Sequence, residues 1–166
     1  MGLLCLAGCA STAQGPRPDT QDNPPASGPA ATPSPPAYLM GQPAAADNGQ
    51  VTATVFAYQP LAVQGAPNGG SWGGADVQVC VQHSAIFDVS ISRGPWVLLT
   101  KEGHTVTATL TDDPGFPQPV YPADHRRVHP GDCVRGWVAF AVPASEHPAA
   151  VQYAPPGAQP INWTVR

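Results

Sequence analysis

Gly69-Gly70-Ser71-Trp72-Gly73 spells G-x-S-x-G, the pattern that presents a serine nucleophile on a strained strand-to-helix turn. The chemistry would be acyl transfer by an envelope serine hydrolase, with one of the five histidines as base. Its surroundings argue otherwise. Asn68 and Gly74 extend a glycine-rich loop, and the next element is a strand starting near Asp76, where the motif requires a helix. The segment reads as a flexible loop, and no catalytic residue is assigned.

His125 and His129, four residues apart, could face the same way on an extended segment and hold a transition metal. Arg126 and Arg127 between them oppose a cation, and Asp124 or Asp132 would have to supply a third ligand. The bland alternative is a solvated loop before Pro130, or a basic contact for an anionic envelope polymer. Asp112-Asp113-Pro114-Gly115 has carboxylates for calcium, yet the Pro-Gly that follows reads as an ordinary turn. Asn162-Trp163-Thr164 is a glycosylation sequon inside a strand pattern and is discounted. No metal or cofactor is expected.

The cysteines fall into two pairs. Leu6-Ala7-Gly8-Cys9 forms a lipobox, in which small residues precede a thiol that accepts a diacylglycerol. Processing there makes Cys9 the lipidated N-terminus, and several acyl chains, each buried methylene contributing about 0.8 kcal/mol, hold the protein at the outer face of a bacterial membrane. The positive n-region is missing and the apolar run Leu3-Leu4-Cys5-Leu6 is short, which points to a translation start upstream. Cys80 and Cys133 lie instead in patterned sequence. In an oxidising compartment they form a disulfide. Cys80 shares its face with Gln78 and Gln82, and Cys133 shares its face with Arg135 and Trp137. These polar faces predict a bridge between neighbouring strands or near a sheet edge, not one through the centre.

The elements that must position these residues begin after a low-complexity tract. Residues 1–8 read as the signal remnant and 9–49 as the lipidated cysteine with a Pro/Ala-rich tether. Pro24-Pro25 and Thr32-Pro33-Ser34-Pro35-Pro36 admit neither helix nor sheet interior, so the tether is expected to be disordered. Extended as polyproline, about 40 residues would reach about 120 Å. From residue 50 to 166 the pattern alternates. Val51, Ala53 and Val55 face one way, as do Val77, Val79 and Val81. Phe87, Val89 and Ile91 repeat the pattern, then Val106, Ala108 and Leu110, with Lys101-Glu102-Gly103 as a hairpin turn. Val134, Val138, Phe140 and Val142 line another strand, and Val151, Tyr153, Ile161, Trp163 and Val165 close the chain. Seven or eight short strands without a sustained helical period predict an all-β sandwich, with a closed barrel as runner-up. Trp72, in the glycine-rich loop, is the tryptophan expected to be exposed. With Arg126 and Arg127 it is nominated for contact with a partner.

Charge narrows the function classes. Charged residues are 11% of the chain and the net charge is -4, without the basic footprint that nucleic-acid binding needs. No apolar stretch reaches the about 18 residues of a membrane span. A single lysine, Lys101, against six arginines and many alanines suggests a GC-rich genome.

The run from Val128 to Pro143, V-H-P-G-D-C-V-R-G-W-V-A-F-A-V-P, resembles the signature of telokin-like, immunoglobulin-like secreted domains. These include secreted mycobacterial antigens and actinobacterial lipoproteins of unknown function. Pro130-Gly131 would turn into the strand, Gly136 would allow a close backbone approach, Phe140 would fill the core and Pro143 would end pairing. The resemblance implies an immunoglobulin-like sandwich and an exported address, and it brings no catalytic residues. The chain is thus expected to be a membrane-anchored envelope lipoprotein that displays a non-enzymatic binding sandwich. Its partners would be the membrane, through Cys9, and an envelope protein or polymer.

Overall fold

Valine-rich alternation produces two long strands that dominate the molecule. A computed structural model describes residues 37–166, in which eleven strands form: β1 Ala37–Tyr38, β2 Ala44–Ala46, β3 Val51–Leu61, β4 Ser71–Val81, β5 Val89–Ile91, β6 Trp96–Thr100, β7 Thr105–Thr107, β8 Arg126–Val128, β9 Cys133–Val142, β10 Pro148–Tyr153 and β11 Ile161–Thr164. One sheet has the order β2-β3-β4-β9, the second β1-β11-β10-β6-β7, and β5 pairs with β8 in a separate ribbon. The two large sheets make a sandwich, as the alternation predicts. Strands are more numerous than seven or eight, and they start at Ala37, so the boundary at residue 50 is corrected to an earlier one. Ala44–Ala46 pairs antiparallel with Val51–Ala53, and Ala37–Tyr38 pairs parallel with Asn162–Trp163. Cys9 and the greater part of the 9–49 tether lie outside the described residues.

Period-2 alternation sends Val51, Ala53, Val55, Val77, Val79, Val138 and Phe140 into one core, each 1% exposed or less. Each valine buried there contributes about 1.5–3 kcal/mol. The facing sheet supplies Trp96 and Trp163, both fully buried, with ring centroids 6.2 Å apart, and Tyr153 stacks 4.6 Å from Trp96.

β3, β4 and β9 zip together along their lengths, with Ser71 opposite Val142 at one end and Cys80 opposite Cys133 at the other. The last pair is disulfide-bonded, with Cα atoms 4.0 Å apart. The bridge joins neighbouring strands, as the polar faces of these residues predict. Within β4 the glycines have a different meaning from the one their composition suggests. Ser71 to Gly74 are strand, not a flexible loop, which corrects the reading of Asn68–Gly74. A Cβ on Gly73 would run into the Tyr58 hydroxyl, so any larger residue would force aside the ring that lies across β4. Gly136 fulfils its expected role. A Cβ there would meet the Tyr121 nitrogen at 2.6 Å, because the segment Pro119–Tyr121 crosses β9. The Tyr121 N–H donates to the Trp137 carbonyl at 2.9 Å, and the Trp137 N–H donates to the Pro119 carbonyl at 2.8 Å.

Arg93 fixes the long connection that follows β7. Its side chain is 2% exposed. Nε donates to the Tyr121 carbonyl at 2.6 Å, one terminal nitrogen to the Thr109 carbonyl at 3.2 Å, and the other to the Asp112 carboxylate at 2.5 Å. Its charge is therefore paired and its donors are directed at otherwise orphaned carbonyls, the condition under which a guanidinium tolerates burial.

Candidate functional site

β3, β4, β6, β9 and β10 all run from one end of the sandwich to the other, so loop residues distant in sequence meet at the two ends. At the first end, the β6–β7 turn (101–104) faces the β9–β10 turn (143–147). His104 Nδ1 lies 2.6 Å from Glu146 Oε1, and His147 Nδ1 lies 2.7 Å from Glu102 Oε1. The His147 backbone N–H also donates to Glu102 Oε2 at 2.9 Å. That donation, followed by the bond from the imidazole, lowers the Glu102 pKa to about 2. Ser71 and Trp72 belong to this same end of β4.

Ser71 is exposed and pairs opposite Val142 in continuous strand. A strand rather than a helix follows it, so the nucleophile-elbow geometry is not formed. No hydrogen bond joins Ser71 to a histidine among the described residues. Trp72 is also corrected. It is half-buried in β4, opposite Ala141 and Leu61, and its ring meets Phe116 edge-on with centroids 5.1 Å apart. The reason for nominating it, exposure on a flexible loop, does not hold.

The second end is built around the β5–β8 ribbon, where Ser90 pairs with Arg127 and Ile91 with Arg126. Residues 126–128 are thus a strand and not a solvated loop. Arg126 and Arg127 are exposed, as expected, and neither forms an ion pair among the described residues. The ribbon gives His125 and His129 different partners. His125 Nδ1 lies 3.2 Å from Ser90 Oγ, and His129 Nδ1 lies 2.7 Å from Asp88 Oδ1. Among the described residues no three His, Cys, Asp or Glu side chains converge as a metal site.

Two features of this end escape a reading of the sequence. Ile86 and Phe87 are 83% and 75% exposed, side by side on the turn that leads into β5. The alternation Phe87, Val89, Ile91 would bury Phe87, but the strand starts only at Val89. An adjacent pair of large apolar residues this exposed is unusual on a soluble domain. Arg127 borders the same shallow hollow as this pair. The second feature is a groove of about 630 Å³. Asp47 and Val51 lie on one side, Ser90 and Ser92 on another, and Tyr153 and Pro155 close it. Its volume is that of a small-molecule site, and its walls are mostly apolar with a few convergent polar groups. Tyr153 is 4% exposed, and burial, with the Asp47 charge as a smaller cause, raises its pKa to about 12. The two residues come from opposite ends of the chain, so no local motif could announce the pair.

Comparison with solved structures gives a fold. The chain is similar to the crystal structure of MPT63, a secreted protein from Mycobacterium tuberculosis, with a TM-score of 0.61 at 15% identity, covering 81% of this chain and 100% of that one. No protein-family model and no curated protein sequence matches the chain. At this identity the likeness is one of architecture: an all-β sandwich. No helix among the described residues is long and apolar enough to cross a membrane.

Proposed function

We propose that this chain is an exported envelope lipoprotein, held at the outer face of the bacterial membrane through Cys9, which displays its sandwich as a non-enzymatic binding module. The observation that carries the reading is the lipobox Leu6-Ala7-Gly8-Cys9 ahead of a proline-rich tract. Two findings support it. The Cys80–Cys133 bond requires an oxidising compartment, and the fold is one that a secreted protein also has. The contact surface on this reading is Ile86 and Phe87 with Arg126 and Arg127, a solvent-facing combination of apolar area and positive charge that forms no ion pair among the described residues. It suits an envelope protein or polymer that presents anionic groups beside an apolar patch.

The test has two parts. The first is the intact mass of membrane-extracted protein expressed with its native upstream region. A lipid-carrying species that starts at Cys9 and lacks two hydrogens is expected, whereas an unprocessed, reduced soluble species would overturn the address. The second is crosslinking on whole cells with wild type and Phe87→Ser. The substitution should abolish partner capture and leave the melting temperature within about 1 °C, since an exposed side chain contributes little to stability. Unchanged capture would remove this surface from the proposal.

A further inference from the structure

The groove beside the β5–β8 ribbon has a charge pattern opposite to that of the surface outside it. Its carboxylates are Asp47 and Asp88. Asp88 is occupied by His129 at 2.7 Å, whereas Asp47 has no ion-pair partner among the described residues. No arginine or lysine lines the groove. The Tyr153 side chain is nine-tenths buried at the groove wall, yet its hydroxyl has no hydrogen-bond partner among the described residues. Its oxygen keeps solvent access, unlike the buried Tyr121 hydroxyl, so a ligand in the groove can reach it. Asp47 and Tyr153 both line this hollow. Ser90 and Ser92 add hydroxyl oxygens, and Val51, Val89 and Pro155 supply apolar wall.

A ligand that satisfies these groups must be positively charged, must donate several hydrogen bonds and must carry apolar surface. A bare divalent ion fits poorly, because only one carboxylate is uncompensated and no three ligating side chains converge among the described residues. An anion would face carboxylates without a guanidinium. We propose that the groove binds a primary ammonium group on a short aliphatic stem, with Asp47 and the Tyr153 hydroxyl receiving its N–H donors and the valine and proline side chains covering the stem. Either a free alkyl diamine or the lysine side chain of a partner protein has this chemistry.

The inference rests on the binding-module part of the reading above and is independent of the anchor. Its test is an amide NMR titration of the full chain carrying Cys9→Ser, so the protein is soluble whether or not Cys9 is ever lipidated. The probes are 1,5-diaminopentane, the blocked tripeptide Gly-Lys-Gly, and pentan-1-ol as a neutral control of similar length. Saturable shifts at Gln50, Ser90, Ser92 and Tyr153 are expected with the diamine or the tripeptide. Whichever amine binds more tightly identifies the source, and pentan-1-ol should bind about tenfold more weakly or not at all. Asp47→Asn should weaken amine binding about tenfold, and Asn accepts the left-handed backbone that Asp47 adopts at φ 48°. Ser92→Ala provides a second variant with a smaller loss, should Asp47→Asn disturb the spectrum away from the groove. Absence of saturation by both amines, or equal binding of pentan-1-ol, would overturn the proposal. Unchanged amine affinity in both variants would do the same. None of these results would bear on lipidation or on the Phe87 surface, which the mass and crosslinking experiments address separately.

Discussion

At one end of the sandwich His104 meets Glu146 and His147 meets Glu102; at the other, His129 meets Asp88 and His125 meets Ser90. The first set links the β6–β7 hairpin turn to the β9–β10 connection, which passes from one large sheet to the other. Its contacts draw neighbouring connections together. The second set lies on and beside a ribbon that belongs to neither large sheet. It leaves a groove on one side and the Ile86–Phe87 pair on the other. Similar side-chain chemistry thus closes one end and furnishes the other. The difference is made by what the backbone is paired to.

The comparison can be broken most severely at the disulfide, which secures the furnished end. Replacing Cys80 and Cys133 with serine should cost about 4 kcal/mol by the chain-entropy model for a separation of 53 residues, an upper figure because native-state strain subtracts from it. Urea denaturation would measure the loss. Hydrogen exchange should accelerate at Val89–Ile91 before it does at Thr105–Thr107, and equal acceleration at both ends would erase the distinction. A smaller effect is expected from Arg93→Met, which keeps the aliphatic stem but leaves the carbonyls of Tyr121 and Thr109 without their donor. The expected loss is about 2–3 kcal/mol, since an unsatisfied buried carbonyl costs about 1–3 kcal/mol. The exposed carboxylate of Asp112 adds little. A melting temperature equal to wild type would show that the connection is held by something else.

The smallest effect sharpens the closed end. The Glu102 pKa is lowered from 4.5 to about 2, so its stabilising contribution is fully present above the ordinary value and is lost as pH falls through about 2. The β6–β7 and β9–β10 turns should therefore remain linked at pH 5 and separate progressively in stronger acid. Carboxyl-carbon NMR of Glu102 would follow this directly. Titration near 4.5 would mean that the His147 contacts do not form in solution. Glu102→Gln should flatten this part of the acid stability profile.

What could be read in the sequence follows from the range of each interaction. Val77, Val79 and Val81 alternate against polar neighbours, and a pattern internal to one strand needs no partner to be visible. The same holds for Val51 to Val55, for Val134 to Val142, and for the polar faces that located the cysteine bridge. β1, β2 and β8 have two or three residues each, too few to show a period, and they exist because distant strands offer them an edge. Composition misled at Ser71–Gly74, where glycine signals the close approach of Tyr58 and not a loop. It misled at Phe87 too, because a turn intervenes before the strand that the alternation implied. Arg126 and Arg127 were legible as an exposed basic pair. The groove was not, since Asp47 and Tyr153 are joined only by folding, and Arg93 gave no sign that its charge would be buried.

The bond between Cys80 and Cys133 also makes a ring of the chain. The backbone arc from Val81 to Asp132 carries the whole β5–β8 ribbon, Arg93 and the exposed Ile86–Phe87 turn, while Asp47 and Tyr153 lie outside it. A protease that cuts once at that turn therefore leaves one covalently continuous molecule, heavier by a single water and divisible only after reduction. The same cut made near Asp47 or Pro155 lies outside this ring, so the Cys80–Cys133 bond does not join the two pieces. The exposed Ile86–Phe87 turn is thus also a place where the chain can be nicked without losing a piece.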